Sequence, residues 1–149
     1  GREALSAVLR ASDSGGQIPQ LGVVLCKAWG VSSLIDLARA ANSVPPPDFS
    51  ALSLAVIASN DEIALAVLSR AGKELAELAH VVIQRLFGDN DAVVPVARTG
   101  GVFRHANLVS EVFYNELRSL SPRVDLLATI VESVDGALRM ARKASQASL

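Results

Sequence analysis

Residues 92–109 read AVVPVARTGGVFRHANLV. The run Ala92-Val93-Val94-Pro95-Val96-Ala97 is short and rich in β-branched valine. Turn residues bound it, Asp89-Asn90-Asp91 before and Gly100-Gly101 after, so it reads as a strand running into a Gly-Gly turn. Pro95 removes a ladder donor and predicts an edge position or an irregularity. From about Ala106 to Leu120, apolar residues at Leu108, Val109, Val112, Phe113, Leu117 and Leu120 have the spacing of a helix. Val124 to Val131 predicts a second strand, and a last helix from near Val134 would turn Ala137, Leu138 and Ala141 inward. This stretch separates an α/β protein from an all-helical one.

Everything upstream reads as helix. Leu5, Val8 and Leu9 share a face of a helix over 3–12, which Ser14-Gly15-Gly16 stops. A second helix follows Pro19, carries Leu21, Val24, Leu25 and Ala28, and ends near Gly30, the residue suited to a left-handed cap. Ser32 or Ser33 caps a third through Leu34, Ile35, Leu37 and Ala38. Pro45-Pro46-Pro47 breaks the pattern, and Asp48 or Ser50 restarts it through Leu52, Leu54, Val56 and Ile57. The helical patterning is alike on both sides, so the prolines are read as a loop within one domain.

The longest element is expected over Ser59–Phe87, closed by Gly88. Ser59-Asn60-Asp61-Glu62 has the form of a capping box between Ser59 and Glu62. A continuous stripe follows at Ala64, Val67, Leu68, Ala71, Leu75, Leu78, Ala79, Val82, Ile83 and Leu86. Arg70 with Glu74 and Lys73 with Glu77 are i,i+4 pairs for its wet face. One domain over 1–149 is expected, helical through 1–90 and strand-turn-helix through 91–149.

With 149 residues, 50% apolar and 19% charged, and a net charge of −1, the chain has the composition of a globular protein. No basic excess is present to neutralise phosphates along a nucleic acid, and no apolar run approaches the roughly 20 residues of a spanning helix. No nucleic-acid or membrane partner is expected. GREALSAVLRAS lacks the pattern of a signal peptide, and a cytoplasmic location is expected. Cys26 alone forms no internal disulfide, zinc knuckle or iron-sulfur site and is read as a small buried apolar residue.

His80 beside the helical stripe and His105 at a helix start read as structural or solvent-facing, and no metal site is expected. Of the carboxylates Asp61, Glu62, Asp89, Asp91, Glu111, Glu116, Asp125, Glu132 and Asp135, most are accounted for by helix starts or wet faces. None is singled out as a general base. Trp29 reads as a packing anchor. Gly100-Gly101 lets main chain approach a ligand, but taken alone it is a plain turn, because no P-loop lysine follows.

Four stretches in order change the weight of that pair. GREALSAVLRA, NDEIALAVLSRAGKELAEL, VARTGGVFR and VDGALRMA resemble the C-terminal part of the BadF/BadG/BcrA/BcrD type ATPase family, which includes N-acetylglucosamine kinase. The resemblance covers essentially the whole chain. It implies the C-terminal portion of a ribonuclease-H-like lobe, as in actin and sugar kinases, with a helical insert and an incomplete sheet. It also implies that Gly100 and Gly101 belong to the adenosine motif for ATP, flanked by Val102, Phe103 and Arg104, with Mg expected in the full-length protein.

The family's first phosphate loop and catalytic aspartate have no counterpart here, so the N-terminal lobe is taken as absent. The chain is expected to be a fragment, inactive toward sugar by itself. Its expected partners are a nucleotide and an amino sugar in the full-length protein, and an open sheet edge with uncovered helix surface favours a homodimer. An activator ATPase of the same family ranks lower, since its shared cluster needs two cysteines per subunit. A non-catalytic helical interaction domain is the reading from another class.

Overall fold

A computed structural model of the chain describes residues 1–15, 17–88 and 92–147. The Asp89-Asn90-Asp91 turn and Gly16 lie outside them. The described chain is mostly helical with one small parallel sheet, an α/β arrangement. It divides into two compact units, Gly1–Ala71 and Gly72–Leu149, so the division falls inside the longest helix and not at the change of pattern after residue 90.

The first unit holds α1 (Arg2–Asp13), α2 (Gln20–Trp29), α3 (Leu34–Ala41), α4 (Ala51–Ile57) and the start of α5 (Glu62–Phe87). Leu5 and Val8, Leu21 and Leu25, Leu37, Leu52 and Val56, and Ala64 each come from a different one of these helices and meet in one buried cluster. Burying each of the larger side chains is worth about 1.5–3 kcal/mol against leaving it in water. Trp29 packs at the rim of this cluster, its ring 5.4 Å from that of Phe49. Cys26 is half-buried, and burial, followed by the nearby Asp36 carboxylate, pushes its thiol pKa up.

Caps follow the side-chain chemistry. Gly30 takes φ 67° and closes α2, and Ser33 accepts the amide of Asp36 at 3.1 Å while donating to its carboxylate at 2.7 Å. The prolines form the loop between α3 and α4, inside one unit. The start of α5 departs from the expected capping box. Asp61, not Ser59, caps this helix: its Oδ1 accepts the Ile63 amide at 2.8 Å, and Ser59 Oγ accepts the Asp61 amide at 3.3 Å. Asp61 Oδ2 accepts the Leu21 amide at 3.0 Å, one of the donors in the first turn of α2 that lack an intrahelical partner.

The second unit holds the rest of α5, then β1 (Val94–Thr99), α6 (Gly101–His105), α7 (Asn107–Leu120), β2 (Val124–Val131) and α8 (Ser133–Ala147). Strands β1 and β2 are parallel, with Val94 opposite Val124 and Thr99 opposite Val131. Ala76 and Ile83 of α5, Val94 of β1, and Phe113 and Leu117 of α7 form its buried cluster. Gly72 lets α5 and α7 approach closely: a β-carbon there would stand 2.9 Å from the Val109 carbonyl oxygen. His80 Nδ1 lies 2.8 Å from Oγ of Ser121, a buried serine just after α7, so this histidine is structural.

Two expected faces are corrected. The α5 stripe is not continuous: Ala76 and Ile83 are buried, whereas Leu78, Val82 and Leu86 are 64%, 52% and 71% exposed. An apolar groove of about 410 Å³ lies between Leu78, Val82, Ile83 and Phe87 of α5 and the segment Val94–Ala97. In α8 the residues expected inward, Ala137, Leu138 and Ala141, are all exposed. Periodicity marks an apolar face but does not supply the surface that covers it.

Pro95 predicts an edge position or an irregularity; β1 lies in a two-stranded sheet, and its ladder slips. Between Val96 and Arg98 the partner advances from Leu126 to Ile130, two steps on β1 against four on β2. Such a bulge leaves β2 carbonyls without ladder partners. Arg98 supplies the donors, its Nη2 reaching Leu127 O at 3.3 Å and Ala128 O at 3.0 Å. Arg98→Met keeps the aliphatic stem and removes both bonds, at a cost of about 1 kcal/mol. Faster hydrogen exchange of the β2 amides around the slip, with helix amides of the first unit unchanged, is the expected result.

Candidate functional site

Strand β1 ends at Thr99, and the chain turns at once into α6 through Gly100. Gly100 has φ 93° and ψ 168°, a conformation open in practice to glycine alone. Its carbonyl accepts the Arg104 amide at 3.3 Å, and the Val102 carbonyl accepts the Ala106 amide at 2.8 Å. A β-carbon on Gly100 would meet nothing within 4 Å, and one on Gly101 only His105 Cδ2 at 3.9 Å. The outer side of the turn is therefore open, and the glycines serve no internal packing. They stand at the carboxyl end of a parallel strand, where open α/β sheets place their ligands.

Of the five residues singled out, three make this open corner: Gly100, Gly101 and Val102 are exposed. Phe103 turns the other way. Its ring meets that of the buried Phe113 edge-on at 5.1 Å, and Ser110 Oγ donates to its carbonyl at 3.1 Å. It anchors the turn on α7. Arg104 Nη2 donates to Glu132 Oε1 at 2.7 Å, so its charge is engaged by the residue that directly follows β2.

Glu132 is the residue that sequence reasoning passed over, because a carboxylate before a helix is accounted for as a helix-start residue. Only the parallel register brings it to the glycines. Thr99 lies opposite Val131, so Gly100 and Glu132 are the first residues past the end of the ladder on neighbouring strands, which run roughly 5 Å apart. Arg98 was likewise silent in the sequence. It borders a cavity of about 430 Å³ with Ser110, Glu111, Tyr114, Asn115 and Leu126, on the side of the sheet that faces α7. Among the described residues, no three His, Cys, Asp or Glu side chains gather as a metal site.

The two glycines also differ in what a side chain would do. Gly100→Ala forces a β-carbon onto a glycine-only backbone, at a cost of about 1–3 kcal/mol. Gly101→Ala meets no such strain and no contact closer than 3.9 Å. Chemical denaturation should show a lowered midpoint for Gly100→Ala and a midpoint close to that of the parent chain for Gly101→Ala.

Compared with protein-family models, with curated proteins and with solved structures, the chain finds no match.

Proposed function

We propose that this chain is the C-terminal, ATP-binding part of a sugar kinase that phosphorylates N-acetylglucosamine or a related amino sugar in the full-length protein. The observation that carries the reading is the backbone at Gly100, held at φ 93° at the carboxyl end of a parallel strand with open space above it. In this reading β1, α7 and β2 are part of a ribonuclease-H-like lobe, and the ordered resemblance of four stretches supports the nucleoside of ATP as the ligand. Side chains at 100 and 101 would then block the approach of the nucleoside to the main chain.

Gly100 and Gly101 give the nucleoside access to the backbone, and Val102, 45% exposed, offers it an apolar edge. Phe103 fixes the turn by packing on Phe113, so the approach is pre-formed and its ordering cost is small. In the full-length protein ATP with its Mg would supply the phosphoryl group, and Gly100, Gly101 and Val102 of this chain would hold its nucleoside.

Gly101→Val is the discriminating variant, because position 101 accepts a side chain without strain while the added methyls fill the approach. ATP and ADP should raise the melting temperature of the parent chain in a saturable way and leave that of Gly101→Val unmoved. Equal shifts in both chains, or none in either, would remove the reading. A second reading, a non-catalytic helical interaction domain, is favoured by α8, where Val134 and Leu138 are 65% and 52% exposed on its apolar stripe. It predicts no response to either nucleotide.

A further inference from the structure

We propose that Glu132 recognises the ribose of the nucleotide at the glycine turn, which makes this a site for ribonucleotides over deoxyribonucleotides. The inference rests on the nucleoside reading of Gly100-Gly101 and adds a named contact to it. Three observations lead there.

The first is position. The ladder ends with Thr99 opposite Val131, so a ligand lying over Gly100 lies beside Glu132, the next residue of the adjacent parallel strand. In dinucleotide-binding folds a glycine-rich turn after one strand and a carboxylate further along the βαβ unit hold a ribose in a comparable way, the acid accepting from its hydroxyl. The second is chemistry. An ionised carboxylate only accepts hydrogen bonds, so at this corner it favours hydroxyl donors and repels phosphate oxygens. The ribose is therefore directed toward Glu132 and the phosphates away from it.

The third is orientation. Arg104 takes Glu132 Oε1 at 2.7 Å, across from the end of β2 to α6. A carboxylate offers about four acceptor positions on its two oxygens, so this bond fixes the group and leaves acceptor capacity at Oε2. Arg104 is thus a positioning residue, acting through Glu132. Its side chain and that of Glu132 are 46% and 55% exposed, so the corner is reachable by a ligand and the bond to ribose is a partly screened one. Losing such a charged hydrogen bond weakens binding by roughly tenfold.

The test compares ATP, 2′-deoxy-ATP and 3′-deoxy-ATP by isothermal titration against the parent chain, Glu132→Ala, Glu132→Gln and Arg104→Ala, with circular dichroism on each variant. The parent chain should bind ATP roughly tenfold more tightly than at least one deoxy analogue. Glu132→Ala should bind all three alike, at the weaker level. Glu132→Gln, which keeps the size and one acceptor, gives the same reading where the alanine variant is unfolded, with discrimination reduced. Arg104→Ala keeps the carboxylate but releases its orientation, and should discriminate less strongly than the parent chain yet more than Glu132→Ala. Equal binding of all three by the parent chain would overturn the assignment while leaving the nucleoside site standing, as would discrimination that survives in both Glu132 variants. Equal losses in Arg104→Ala and Glu132→Ala would reduce the pair to a structural tie and also overturn it. No binding of any nucleotide would remove the site itself, and the ribose contact with it.

Discussion

Gly72→Val should cost about 3 kcal/mol or more. The helix propensity of the residue argues the other way, since glycine inside a helix is about 1 kcal/mol worse than alanine. Packing overrides that gain. A β-carbon at position 72 would lie 2.9 Å from the Val109 carbonyl oxygen and 2.9 Å from Val112 Cβ. The first of these is backbone, which no rotamer change can move aside. Helix α7 would have to shift, and with it Val109, Phe113 and Leu117, three of the buried residues of the second unit. Gly72→Ala meets the same contact with a smaller group, and a net loss of about 1–2 kcal/mol is expected after the propensity gain is subtracted. Urea denaturation followed through Tyr114, which lies in α7, reads both variants. A Gly72→Ala chain more stable than the parent would show that the close approach of α5 and α7 is wrong.

Asp61→Ala should lower stability by about 2–4 kcal/mol, the sum of a lost helix cap and a buried donor left without its acceptor. One carboxylate serves two helices, accepting from Ile63 at the start of α5 and from Leu21 at the start of α2. Leu21 is fully buried, so water does not simply replace the lost acceptor. Asp61→Asn retains one acceptor but turns an NH2 toward the other donor, and an intermediate loss is expected. Ser59→Ala, by contrast, removes only the 3.3 Å bond to the Asp61 amide and should cost well under half as much. Thermal or urea melts of the three variants, ranked in that order, check the arrangement. A larger loss for Ser59→Ala than for Asp61→Ala would restore the capping box suggested by the sequence.

These cases show where local pattern was enough to read the structure and where it was not. The two strands and the helices were legible because each carries its own signal, β-branched runs between turn residues or apolar residues at helical spacing, with Gly30 and Gly88 as stops. The extra helical turn α6 was not, because the glycine pair masks a helix start. Contacts between elements were also hidden. Asp61 accepting from Leu21, Arg98 capping the carbonyls of the β2 bulge, and Gly72 admitting α7 all depend on partners distant in sequence. The stripe along α5 was real as a pattern, yet Leu78, Val82 and Leu86 are exposed. Within the candidate site, Gly100 and Gly101 could be read from sequence, but Glu132 needed the register between the strands.

The central claim is that the backbone at Gly100-Gly101 receives the nucleoside of ATP. Amide chemical-shift mapping during an ATP titration of the chain tests it most directly. The largest shifts should fall on Gly100 to Arg104 and on Glu132, saturate together, and vanish in Gly101→Val. Shifts centred elsewhere, for example on Glu111 and Asn115 beside the Arg98 cavity, or no shifts at all, would contradict it.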